Sequence, residues 1–296
     1  MAGEPGGGPA LIRLSRTHEW WRRVLNVLAL TLTGVCALLV MAPVFIILIY
    51  LVTNGIRSVN LEFLTSLPKP PGEPGGGLAN AIVGSFYMVG LALVLSLPIG
   101  VGAGVYLAEF GQSRYAHLIR FVADVLNGMP SIVIGVSVWA LLVVPMRTFS
   151  ALAGGVALAF IMIPMITRTT EEMVRAVPNA LREASLGLGA TYARTMWSVV
   201  LPAARGGIVT GVMLALARVF GEAAPLLFTA LGNRFWNLYL DRPMASLPTQ
   251  IYEYAKSPYE DWHRQAWAAA LLLIVVVLIL NIVARVSTRE RFRALR

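Results

Sequence analysis

Arg182-Glu183-Ala184-Ser185-Leu186-Gly187-Leu188-Gly189-Ala190, followed downstream by Val199-Val200-Leu201-Pro202, is a moderately polar, glycine-punctuated stretch between two long apolar ones. Pro178 and Asn179 open a short helix. Ala180, Leu181, Ala184 and Leu188 then form a narrow apolar edge, and Gly187 and Gly189 end it. Thr191 caps a second helix through Tyr192, Met196, Trp197 and Val200. Two short helices at an angle make a knob. Its slim Ala/Ser/Gly edge suits the groove of a water-borne partner, and Glu183 stays free to accept a hydrogen bond. The bland alternative is an amphipathic hairpin lying at the membrane surface.

The flanks carry the apolar signal. The chain has 296 residues, 57% hydrophobic and 13% charged, with mean hydropathy +0.71. Soluble domains run near a quarter charged. A span needs about 20 apolar residues to cross a hydrocarbon core of roughly 30 Å. Six segments qualify: Val24–Val52, Leu78–Ala108, Leu118–Val144, Ala151–Thr167, Gly206–Leu231 and Ala266–Ala284. Hydrocarbon leaves no backbone polar group without an internal partner, so the spans are helices. The expected fold class is an all-α, polytopic membrane protein with six transmembrane helices. It divides into an N-terminal tail (1–23), a transmembrane domain (24–286) carrying the aqueous segment 168–205, and a basic tail (287–296).

Charge sets the orientation. With the N-terminus in the cytoplasm, sixteen Lys and Arg residues lie inside and seven outside, and Arg218 falls within a span. That bias places both termini and the Glu183 segment in the cytoplasm. The net charge of +9 then reads as topology and contact with anionic lipid, not as a nucleic-acid surface, since no basic stripe with interleaved aromatics occurs. The first apolar run is longer than a signal-peptide core. Met1–Ala10, rich in Gly and Pro, reads as a disordered tail, and Cys36 as a small packing residue. The first outer loop holds Pro68, Pro70, Pro71, Pro74 and a glycine cluster, so it is irregular chain. The second, Gly232–Gln265, holds Phe235, Trp236, Tyr239, Tyr252, Tyr254, Tyr259 and Trp262. These form an interfacial belt or a docking surface.

Arg218 and Glu222 lie inside the fifth span. A mid-bilayer Arg costs at least roughly 2.5 kcal/mol. Four residues apart, the two share a helix face and can neutralise each other. They are either a structural ion pair or the lining of a pathway where Arg218 meets an anion and Glu222 weakens the grip. Arg suits an oxyanion because its planar fork binds two oxygens at once. Arg168, at the inner end of the fourth span, either snorkels to the interface or lies on the same pathway. Asp124 has no assigned role. Gly128 and Pro130 permit a kink in the third span.

Several chemistries have no support. Gly100-Val-Gly102-Ala-Gly104 lies in an apolar run with no preceding strand, so it is a helix-packing face rather than a dinucleotide loop. There is no Gly-x-x-x-x-Gly-Lys-Ser/Thr run, no metal cluster and no nucleophile–base pair. A non-catalytic subunit without cofactor is expected. A self-contained ion-coupled transporter would carry internal repeats, and none is persuasive.

The spacing of Glu183, Ala184, Gly189, Val199, Leu201 and Pro202 resembles the EAA loop of permease subunits in ATP-binding-cassette importers, with Ser185 in place of the second Ala. Within that group the chain is similar to the A-type permeases of the phosphate-specific transport system. The resemblance rests on Arg168-Thr-Thr-Glu-Glu-Met173, Val177-Pro-Asn-Ala-Leu-Arg-Glu183, Ala217-Arg-Val-Phe-Gly-Glu-Ala-Ala-Pro-Leu-Leu-Phe-Thr-Ala-Leu231, Pro130-Ser-Ile-Val-Ile-Gly135, Asn237–Leu247 and Tyr254-Ala-Lys-Ser-Pro258, and covers most of 80–286. Ala223 stands where that family usually has Thr. The resemblance implies a six-helix, type I importer subunit in a bacterial plasma membrane. It implies pairing with a C-type permease, two copies of a cytoplasmic ATPase gripping the EAA loops, and an extracytoplasmic phosphate-binding protein delivering inorganic phosphate. ATP would be used by the partner. Substrate-pathway roles would fall to Arg218, Glu222 and Arg168. ATPase coupling would fall to Glu183, Ala184, Ser185, Gly189, Leu201 and Pro202. Another oxyanion remains an alternative cargo.

Overall fold

The computed structural model describes residues 16–292. The Met1–Ala10 tail and the last four residues of the basic tail lie outside them. The described residues are helical, with no strand among them. The chain divides into two units, Met1–Val52 and Thr53–Arg296.

The first unit belongs to helix α1 (Arg16–Gly55). Most of its apolar side chains are exposed, Leu30, Leu38 and Val40 among them, while Leu51 near its end is buried. A helix apolar on every side belongs in lipid. Cys36 is exposed too, so it is not the packing residue that the sequence suggested.

The second unit contains α2 (Leu61–Thr65), α3 (Ala79–Glu109), α4 (Arg114–Gly128), α5 (Ser131–Val138), α6 (Val144–Met146), α7 (Ala151–Arg175), α8 (Asn179–Gly187), α9 (Tyr192–Thr195), α10 (Leu201–Phe220), α11 (Ala224–Thr229), α12 (Leu247–Ala255) and α13 (Glu260–Phe292). Wide π turns at Trp139–Val143 and Met196–Val200 join α5 to α6 and α9 to α10. Five helices are long and apolar enough to cross a membrane, and a sixth span arises if the bent pair α4 and α5–α6 counts as one.

Helix α7 is the centre. Its Leu158, Met162 and Ile166 are buried with Met88 of α3 and with Val219 and Phe220 of α10. Small residues let the backbones approach, because lipid gives no hydrophobic drive between helices and close contact must supply the attraction. A Cβ on Gly100 would lie 2.8 Å from the Ile166 Cβ, and one on Gly104 would lie 2.5 Å from the Thr170 Cβ. The reading of Gly100 and Gly104 as a packing face therefore holds, while Gly102 faces open space. A second apolar cluster at the other end joins Phe63, Leu78, Leu247, Tyr254 and Ala268.

The kink that Gly128 and Pro130 permit in the third span, Leu118–Val144, is present as a 107° bend between α4 and the α5–α6 segment. Pro130 has no N–H, and Met129 before it is extended at ψ 133°, the conformation a following proline favours. Three other sequence expectations need correction. The fifth span, Gly206–Leu231, ends early, since Gly221 closes α10 and Pro225 opens the separate α11. The fourth span runs on to Arg175. The second outer loop is not all loop, because α12 and the first turns of α13 lie within it.

Candidate functional site

The knob forms much as its residues dictate. Asn179 begins α8, which ends at Gly187, and Gly189 takes φ +83°, a conformation only glycine adopts without strain. The Thr191 hydroxyl accepts the Arg194 N–H at 3.3 Å and so caps α9. No residue of α8 is buried. Glu183, Ala184 and Gly189 are exposed, Leu181 is 47% exposed and Leu188 is 90% exposed. Ser185 is half-buried and is more than a small filler: its hydroxyl bonds that of Thr195 at 2.8 Å, tying α8 to α9.

The second half of the knob departs from expectation. It is no separate short helix. From Tyr192 the helix runs through the π turn into α10, giving an uninterrupted Tyr192–Phe220. Leu201 is half-buried and Pro202 exposed at the start of α10. The wide turn accommodates the missing Pro202 N–H.

The two arginines singled out from the sequence occupy different surroundings. Arg168 is not a terminal snorkelling residue, since α7 continues for two more turns. Its guanidinium donates to Asp124 of α4 and to Glu171 at 3.2 Å. Glu171, 3% exposed, also takes Arg120 at 2.9 Å and Arg175 at 3.0 Å. One buried carboxylate thus gathers three cations from α4 and α7, and Asp124 gains a role as the second anion of this network.

Arg218 lies in the last turn of α10 and is 51% exposed. Glu222 is past the helix end, so the two do not share a helix face as expected. Their charged atoms are 3.9 Å apart, a long contact for an ion pair. Arg218 also points its Nη1 at the Met165 sulfur, 3.8 Å away. Met165 precedes Arg168 by three residues, so both arginines flank about one turn of α7.

Sequence reasoning missed Glu171 and Glu109. The i,i+3 spacing of Arg168 and Glu171 was a usable signal. Glu109 carried less, standing one residue beyond an apolar run.

The arrangement is that of a membrane permease: apolar helices, a bare aqueous knob, and charged side chains within the bundle. Residues 100–292 match the family described as "Binding-protein-dependent transport system inner membrane component". The chain is 44% identical over 277 residues to the phosphate transport system permease protein PstA of Yersinia pestis, covering 93% of this chain and 94% of that protein. It is 34% identical over 276 residues to the probable phosphate transport system permease protein PstA of Methanocaldococcus jannaschii, covering 92% and 97%. The chain belongs to this PstA family of inner-membrane permease components. Solved structures show the same fold. A bacterial alginate ABC transporter chain aligns with TM-score 0.65 at 13% identity, covering 93% of this chain and 98% of that one. A chain of the MetNI methionine ABC transporter in an inward-facing form aligns at 0.57 and 21% identity, covering 72% and 94%.

Proposed function

We infer that this chain is the permease subunit of an ATP-driven phosphate importer and forms half of the phosphate pathway. Membership of the PstA family supports the cargo. The observation that carries the site is the contrast at Arg218: a guanidinium within an apolar bundle, half exposed and held by Glu222 only at 3.9 Å. A charge there is costly unless it serves a path. Its fork meets two phosphate oxygens, and Glu222 competes for it, so that the anion is passed on rather than retained. Arg168 lies on the same side of α7 but is committed to Asp124 and Glu171. In this reading it shapes the inner part of the pathway.

The knob is the coupling element. Glu183, Ala184, Ser185, Gly189, Leu201 and Pro202 present it to a cytoplasmic ATPase, two copies of which close on ATP. The bundle then alternates between outward and inward openings. The chain itself needs no cofactor and hydrolyses no ATP. A C-type permease completes the channel, an extracytoplasmic phosphate-binding protein supplies substrate, and lipid surrounds the spans. Both termini face the cytoplasm, as the charge bias requires.

The test is Arg218→Gln in the assembled complex. Phosphate uptake falls about 100-fold with the subunits still co-purifying, the scale of loss when a single charge-stabilising donor is removed. Normal uptake would remove Arg218 from the pathway.

A further inference from the structure

Glu109 is the last residue of α3, and its side chain is 5% exposed. A carboxylate at a helix C-terminus is repelled by the carbonyl ends of the dipole, and a buried charge survives only when paired. Both knob helices supply the pairing. Arg182 of α8 donates to one Glu109 oxygen, and the Tyr192 hydroxyl of α9 donates to the other. The second Nη of Arg182 donates to the Val174 carbonyl in the last turn of α7 at 2.8 Å. One guanidinium therefore joins the knob to the same ends of the two most closely packed helices, α3 and α7.

Two further observations make this contact one that can open. A cavity of about 480 Å³ lies beside it, lined by Glu109, Gly111, Gln112, Ser113 and Arg175 among others. It is roomy enough to hydrate a released carboxylate. The Arg182 Nε is buried with no hydrogen-bond partner among the described residues. A buried donor left without a partner costs free energy, so this arrangement is not the most stable conceivable for Arg182.

We propose that Glu109, Arg182 and Tyr192 form a latch that transmits displacement of the knob to α3 during transport. This rests on the importer reading above. All three are positioning residues, and none is among the contacts of Arg218, which are Glu222 and Met165.

The test uses the complete complex in proteoliposomes, with phosphate uptake and ATP hydrolysis measured side by side. Glu109→Gln lowers phosphate moved per ATP about tenfold, and Tyr192→Phe lowers it about fivefold, the range of an ordinary coupling between sites. A purely structural role would reduce the amount of assembled complex and leave that ratio unchanged. If Glu109→Gln fails to assemble, Tyr192→Phe decides, and an unchanged ratio there overturns the latch. Failure of the unsubstituted complex to move phosphate removes the importer reading alone.

Discussion

Arg168 and Arg218 flank the same turn of α7, yet one is bound on two sides and the other is nearly loose. Arg168 shares Glu171 with Arg120 and Arg175 and also reaches Asp124 on the bent helix α4. Arg218 has a single long ion pair, to Glu222 at 3.9 Å, and is 51% exposed. A charge surrounded by partners holds helices together. One left half-paired is available to a passing anion. In the proposed function, two residues of the same type, one within a span and one at the inner end of another, thus divide between traffic and architecture.

The comparison can be broken by mutation. Glu171→Gln is expected to cost the most stability, about 3 kcal/mol, because Glu171 is 3% exposed and is the carboxylate on which Arg120, Arg168 and Arg175 converge. Thermal unfolding of the detergent-solubilised complex measures it, and a change within error would show that the network is dispensable. Gly104→Ala comes next, at about 2 kcal/mol, since the added Cβ would meet the Thr170 Cβ at 2.5 Å and overpack the α3–α7 contact. Asp124→Asn removes a partner that is 58% exposed, so its effect is about 0.5 kcal/mol. Arg218→Gln sharpens the contrast: its effect on stability is about 0.5 kcal/mol or less, despite its large effect on uptake. If Arg218→Gln unfolds the complex as readily as Glu171→Gln does, the division of labour is wrong.

The smallest expected effect lies in the outer loop. The Gly76 N–H and the Lys69 ammonium hold Glu62 below the usual carboxylate range. A depressed folded value means that the contact contributes fully above the ordinary carboxylate pKa. It is lost as the pH falls through the lowered folded value. Limited proteolysis of the Pro68–Gly77 segment should therefore accelerate in acid and not at neutral pH, and a Glu62→Gln variant should lose that acid-dependent step.

The sequence made the long apolar helices and the knob legible, because hydropathy and cap residues are local signals. Gly128 and Pro130 marked the break in the third span, though not the size of its 107° bend. Hydropathy has no knowledge of backbone direction, so the window at Gly206–Leu231 read straight through Gly221, where α10 ends. Arg218 and Glu222 were found as intramembrane charges, but the helix end between them was not, and the expected shared face was lost. The Glu171 network was hidden for another reason. Arg120 is 51 residues from Glu171, and such a pairing exists only once the fold brings α4 against α7.

The uninterrupted Tyr192–Phe220 helix has a mechanical consequence. At about 1.5 Å per residue, its 29 residues make a beam about 43 Å long. One end is seated in the knob, and the other stops two residues beyond Arg218. In the proposed coupling, a small tilt imposed at the knob end is carried along this beam as lateral travel of that arginine, and the π turn at Met196–Val200 is a compliant joint near the driven end.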